Sequence, residues 1–266
     1  GRVMPVGPAR MPLLDHLSEL RRRLTIIVMC VLVTTLIIYM ASPTLIQLLI
    51  DPIRQFMPDG GQLYVTTALG GFTLRFKVSA FFAVIVCCPI IIFQVLGFFM
   101  PALKPSEQKW VAPTVGALVF LFFFGMLFCY FVILQATFGW MLEQTNDFAA
   151  VFANAEDYIN IITLLELGFG AAFELPLIIF YLLVFHLVPY KTMREQWRYI
   201  YVGMLVASAV VTPDASPITM FLMFAAVIVL YEASLFVARR VLIARDGKES
   251  LKWTREEYSE HKFNEE

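Results

Sequence analysis

Two groups of charged residues are placed where their chemistry has to be accounted for. Glu174, in the stretch GFGAAFELP, lies about halfway along an apolar run and precedes Pro176. A carboxylate inside a bilayer is expensive to keep, and an acid in such a place is by default a candidate functional group. The alternative is a protonated Glu that hydrogen-bonds a neighbouring helix and so holds the bundle together. Pro176 removes a backbone donor and is expected to kink its helix. Glu166 precedes Glu174 in the same run, roughly 12 Å along a helix and about 80° round it. It widens the same polar patch or sits in the headgroup zone.

The second group precedes the first apolar run. In PLLDHLSELRRRL, residues Leu13, Leu14, Leu17, Leu20 and Leu24 fall on one helical face, and Asp15, Glu19, Arg22 and Arg23 occupy much of the other. The charges are presented either to a partner or to water at an interfacial anchor. A further charged stretch, QVLGFFMPALKPSEQKW, places Glu107 among Lys104 and Lys109 in a Pro-punctuated loop.

Other chemistries find no support. Cys30, Cys87, Cys88 and Cys129 all lie inside apolar runs, with no CxxC pair and no nearby His to complete a zinc set, so they read as packing residues and no metal is expected. His186 has no GxSG serine motif to serve, and His16 reads as orienting the amphipathic entry, so no catalytic group is expected. Gly168 and Gly170 sit within an apolar run, where small residues permit close helix packing, and no nucleotide-binding loop or cofactor site is expected. The run Phe120 to Phe124 and the methionines read as lipid-facing or packing residues.

The elements that must position these groups follow from composition. Of 266 residues, 59% are hydrophobic and 15% charged, against about 45–50% and 25% in a soluble domain. The formal net charge of -1 gives no basic excess for nucleic acid. Charged and Pro/Gly-rich breaks leave six apolar segments, residues 24–42, 72–99, 111–136, 158–188, 199–212 and 218–238. In lipid every backbone group must be paired within the element, so the segments read as helices. The fold class is all-α: a polytopic membrane protein of six transmembrane helices. Residues 1–23 form an amphipathic N-terminal segment, 24–238 the membrane domain and 239–266 a charged tail. The opening GRVMPVGPAR lacks a signal-like apolar stretch, so the first span is expected to be its own anchor. Six spans put both termini on one side. That side carries all the Lys and Arg except Arg54, Arg75 and Lys77, which makes it cytoplasmic. The larger exterior loops are then 43–71 and 137–157. The fifth segment spans only about 21 Å. It needs a thinned bilayer or length borrowed from flanking residues such as Trp197 and Tyr199.

Taken together, HLSELRRRL before the first span, CPIIIFQVLGFFMPALKPSE across the second, GFGAAFELP in the fourth and TPD before the sixth resemble the TatC family. This family supplies the core receptor subunit of the twin-arginine protein translocase. The resemblance covers about residue 11 to 240. It implies a protein of the cytoplasmic membrane that binds twin-arginine signal peptides of folded cargo. It also implies partners TatA and TatB, a homo-oligomer within a TatB–TatC complex, and transport driven by the proton gradient. Matched by motif, Glu19 and Glu107 are the acidic signal-reading positions, Arg21 and Arg23 the first-segment arginines and Phe98 the aromatic at the end of the second span. Pro52 corresponds to an exterior-loop proline, Glu174 to the intramembrane acid and Asp214 to an acid before the last span. Two departures stand out. The spacing from Asp214 to Glu232 is about two residues longer than the common pattern, with Ile218 or Thr219 where many members carry glutamine. Lys104-Pro105-Ser106 also departs from the usual loop sequence.

The chemistry agrees with the resemblance. A guanidinium fork can make two parallel bonds to one carboxylate, and a lysine cannot. Each exposed ion pair is worth only about 0–1 kcal/mol. The apolar stretch of the signal must therefore supply affinity, with Phe98 a candidate contact and Arg21 and Arg23 expected to orient the acids. A proton-coupled solute transporter using Glu174 is the alternative from another class.

Overall fold

The computed structural model describes residues 13–58, 60–99, 109, 111–212, 216–257 and 260. Among them the secondary structure is helical, apart from one isolated bridge between Tyr64 and Asn154. In chain order the helices are α1 (Leu13–Ile38), α2 (Ser42–Ile50), α3 (Gly70–Val86), α4 (Cys88–Phe99), α5 (Val111–Phe128), α6 (Leu134–Thr145), α7 (Ala155–Ala172), α8 (Leu175–Val184), α9 (Tyr190–Glu195), α10 (Trp197–Val211) and α11 (Pro217–Asp246). By length and composition, four continuous stretches can cross a membrane: Leu13–Phe56, Val111–Thr145, Ala155–Val184 and Pro217–Asp246. The pair Gly70–Val86 and Cys88–Phe98 qualifies together but is bent by 60°. α10 is apolar and short, at 15 residues.

Two compact units emerge. The first comprises residues 1–46 and 71–119, and α1 and α4 pack together within it. Several hydroxyls on its helices bond back to their own helix, as suits lipid. Thr34 and Thr35 on α1 donate to the carbonyls of Cys30 and Val31, and Ser79 on α3 donates to that of Arg75. Thr34 Oγ1 also lies 3.4 Å from the Cys87 sulfur. Near the start of α3, Arg75 Nε donates to Ser42 Oγ at 2.8 Å and Nη2 to the Tyr39 carbonyl, with the guanidinium 4.5 Å from the Tyr39 ring centroid.

The bend between α3 and α4 is absent from the single second span read from the sequence. Its cause is Pro89, the second residue of α4. Proline has no N–H for the carbonyl one turn earlier and its ring displaces that carbonyl. The chain resumes at once, with Ile91 N–H donating to the Cys87 carbonyl at 2.9 Å.

The second unit comprises residues 47–70 and 120–266. Asn154 caps α7 by accepting from the Glu156 N–H at 3.0 Å, with Glu156 and Asp157 in the first turn, where the helix dipole favours acids. α7 ends at Ala172, and α8 begins at Leu175 with Pro176 in its first turn, which is the interruption expected at that proline. Ser216 caps α11. Its core is formed by Ile179 and Leu183 of α8, Tyr190 of α9, and Tyr231, Leu235, Ala238 and Leu242 of α11. Those α11 positions recur at three- and four-residue steps, the spacing of one helical face.

Helix continues where loops were expected. Residues 43–56 of the 43–71 segment are helical, as α2 followed by the tight turn Asp51–Phe56. α6 runs through Thr145 into the 137–157 segment because Thr137 and Phe138 are buried there. Between α5 and α6, Cys129–Ile133 form a π-helical turn. This adds a residue to one turn and rotates everything after it. α10 does draw in Trp197 and Tyr199, and at 15 residues is still only about 22 Å long.

Candidate functional site

Glu19 and Arg23 are one helical turn apart on α1, with the acid toward the N-terminus, the favourable order for such a pair. Arg23 Nε and Nη2 both donate to Glu19 Oε1, at 3.2 and 3.0 Å, and Nη1 donates to Gln94 Oε1 on α4 at 2.9 Å. The guanidinium can lie this close to α4 because residue 97 has no side chain. A Cβ built on Gly97 would stand 2.4 Å from Nη1, 2.9 Å from Cζ and 3.0 Å from Nη2. One residue on, Phe98 meets the His16 ring of α1 with centroids 4.4 Å apart. Glu19 and Arg23 each keep 23% of their side chain exposed. The result is a half-open patch at the start of α1: a carboxylate holding a guanidinium, bordered by an aromatic pair.

Of the sequence-predicted positions, Glu19, Arg23 and Phe98 therefore lie in one neighbourhood. Arg21 is exposed, beside Leu17, Leu20 and Leu24 along a shallow strip of α1. Glu107 and Asp214 lie outside the described residues. Gln94 and Gly97 were not singled out as site residues from the sequence. Their only signal was membership of the stretch CPIIIFQVLGFF, where a lone amide in an apolar helix asks for a partner.

The intramembrane acids belong to the second unit. Both carboxylate oxygens of Glu174 are buried and have no hydrogen-bond partner among the described residues. Glu174 occupies the break between α7 and α8. Glu166 is only 3% exposed and lies near the buried Cys129 thiol of the π-helical turn, with its Oε1 unpartnered among the described residues. Pro52 opens the Asp51–Phe56 turn, where Arg54 Nε donates to Asp51 Oδ1 at 2.7 Å.

Two polar clusters were missed by sequence reasoning. Arg194 of α9 pairs with Glu232 of α11 at 2.8 Å, Tyr201 of α10 donates to the same carboxylate, and Tyr231 Oη donates to the Met193 carbonyl at 3.0 Å. After α8, buried His186 adopts φ 56° and lies 3.0 Å from Asp246 Oδ2, while Arg245 Nη2 donates to the Val184 carbonyl at 2.7 Å. Among the described residues no group of His, Cys, Asp and Glu could hold a metal ion.

Apolar helices of spanning length, buried acids within them and an acid–guanidinium pair where the first helix begins define a polytopic membrane protein. Glu19 in that pair is part-exposed, whereas Glu166 and the carboxylate oxygens of Glu174 are buried. The model of the Sec-independent protein translocase protein (TatC) family matches residues 15–225. The chain is 29% identical over 237 residues to the TatC of Azotobacter chroococcum, covering 89% of this chain and 92% of that protein. It is 30% identical over 238 residues to the TatC of Deinococcus radiodurans, covering 88% of each. A crystal structure of the twin-arginine translocase receptor TatC superposes with a TM-score of 0.73 at 27% identity, over 84% of this chain and 98% of that one. The chain belongs to the TatC family, and is thus a membrane component of the Sec-independent protein translocase.

Proposed function

We propose that the chain is the receptor and core subunit of the twin-arginine translocase, binding the Arg-Arg signal peptide of folded cargo at Glu19 and Glu107. The observation that carries this is the Arg23 guanidinium held on Glu19 Oε1 by two N–H groups: the same carboxylate is built and placed to take a guanidinium. Phe98 and the exposed apolar residues Leu13, Leu14, Leu17 and Leu24 offer the apolar part of the signal somewhere to lie. Arginine is preferred to lysine because only the planar fork supplies two parallel donors. An exposed ion pair contributes only about 0–1 kcal/mol, so charge selects the signal and apolar contact holds it.

On this reading the start of α1 faces the cytoplasm, six segments cross the membrane, and both termini are cytoplasmic. Glu174 is a polar notch that receives the polar end of a TatA or TatB span, in a bilayer thinned beside the short α10. The receptor works as several copies within a TatB–TatC complex, and the proton gradient drives transport. The test is capture of an immobilised Arg-Arg signal peptide and its Lys-Lys variant by the purified chain. Wild type is expected to retain the first at least tenfold better, and Glu19→Gln with Glu107→Gln to lose that retention. Equal retention of both peptides, or normal capture by the double variant, sinks the reading.

A further inference from the structure

The contacts round Glu19 carry more than a recognition site, because that site is already filled. Arg23 places three donors: two on Glu19 Oε1, and one, at 2.9 Å, on Gln94 Oε1. Gln94 holds the far side of the guanidinium, and the bare α-carbon of Gly97 gives it a shelf. A group that only neutralised Glu19 would need neither. The helical spacing alone brings Arg23 within reach of Glu19, whereas the amide and the missing Cβ are contributed by α4 and fix the guanidinium in one place.

We propose that Arg23 is a resident guanidinium, an internal placeholder that occupies Glu19 in the free protein and must be displaced by an arginine of the incoming signal. This rests on the reading of Glu19 as a signal-peptide acid and deepens it. An incoming arginine offers the same planar group and can place the same two N–H donors on Glu19 Oε1, so the exchange replaces like with like and the displaced Arg23 keeps Gln94 or turns to water. A peptide with no strong donor leaves the internal pair closed. Where the binding-competent state is only a fraction of the population, the apparent dissociation constant rises in inverse proportion to that fraction. Arg23 therefore weakens all binding at Glu19 and keeps the receptor closed to weakly charged peptides.

The test is the affinity of the purified full chain in lipid nanodiscs for a fluorescent Arg-Arg signal peptide. Arg23→Gln vacates Glu19 and should bind about three- to tenfold more tightly than wild type, the gain expected from removing one competing part-exposed ion pair and its anchoring bond. Arg23→Lys, with a point charge in place of the fork, should fall between the two. Gly97→Ala keeps every charge and pushes the guanidinium off its shelf, so it too should tighten binding. A role in orienting Glu19 predicts the reverse order, with Gln weakest. Weaker or unchanged binding in Arg23→Gln and Gly97→Ala, while wild type still prefers Arg-Arg to Lys-Lys, overturns the placeholder alone. Loss of that preference in wild type removes the receptor reading and the placeholder with it.

Discussion

At the residue scale, the informative groups are acids whose partners differ. Glu19 has a guanidinium on it, Glu166 a thiol nearby, and Glu174 no hydrogen-bond partner among the described residues. A buried polar group without a partner costs about 1–3 kcal/mol, more if charged, so Glu174 weakens the fold it sits in. Glu174→Ala is therefore expected to leave thermal stability in detergent unchanged or raised, by about 1 kcal/mol, while TatA ceases to co-purify. A fall of several degrees with TatA still bound would make the residue structural glue. The presence of these acids was legible in the sequence because charge inside an apolar run is conspicuous. Their surroundings were not: Cys129, near Glu166, sits in a π-helical turn, which carries no compositional mark. Gln94 became meaningful only when α4 was laid against α1.

At the element scale, hydrophobicity located the helices well and their ends poorly. The six apolar segments all reappear as helical stretches, because an apolar run of that length has one way to pair its backbone in lipid. Polarity failed as a guide to where they stop. α2 and α6 extend through polar residues that remain helical because the opposite face is buried, as at Leu49, Thr137 and Phe138. The second segment reads as one span although it contains Pro89; proline in a span is tolerated with or without a sharp bend, so the 60° could not be read from it. Close packing of α5 on α7 is a clearer case of a single-residue constraint. A Cβ at Gly125 would stand 2.6 Å from the Phe169 carbonyl oxygen and 2.8 Å from the Phe173 Cβ. Backbone cannot move aside as a side-chain tip can. Gly125→Ala should therefore cost about 1–3 kcal/mol, read as a lowered unfolding temperature in detergent. An unaltered temperature would mean that the two helices separate freely.

At the scale of the whole molecule, the distribution of basic residues predicts sidedness. On the proposed six-span arrangement, the 57–69 loop is expected opposite the α9 turn and the tail. In a chain with its native cysteines replaced, Gly60→Cys should react with an impermeant maleimide added outside the cell. Lys191→Cys and Lys248→Cys should react only after permeabilisation. Labelling of either lysine position from outside would invert or break the six-span arrangement.

One join in the second unit is made by backbone hydrogen bonds, beside the stacked rings of Tyr64 and Phe152. Tyr64 N–H donates to the Ala153 carbonyl and Ala155 N–H to the Tyr64 carbonyl, each at 2.9 Å. Proline at 64 or 155 would remove one of the two donors and unpick the stitch, and Ala153 and Ala155 are buried, so side chains larger than a methyl group would force the seam open as surely as a lost hydrogen bond.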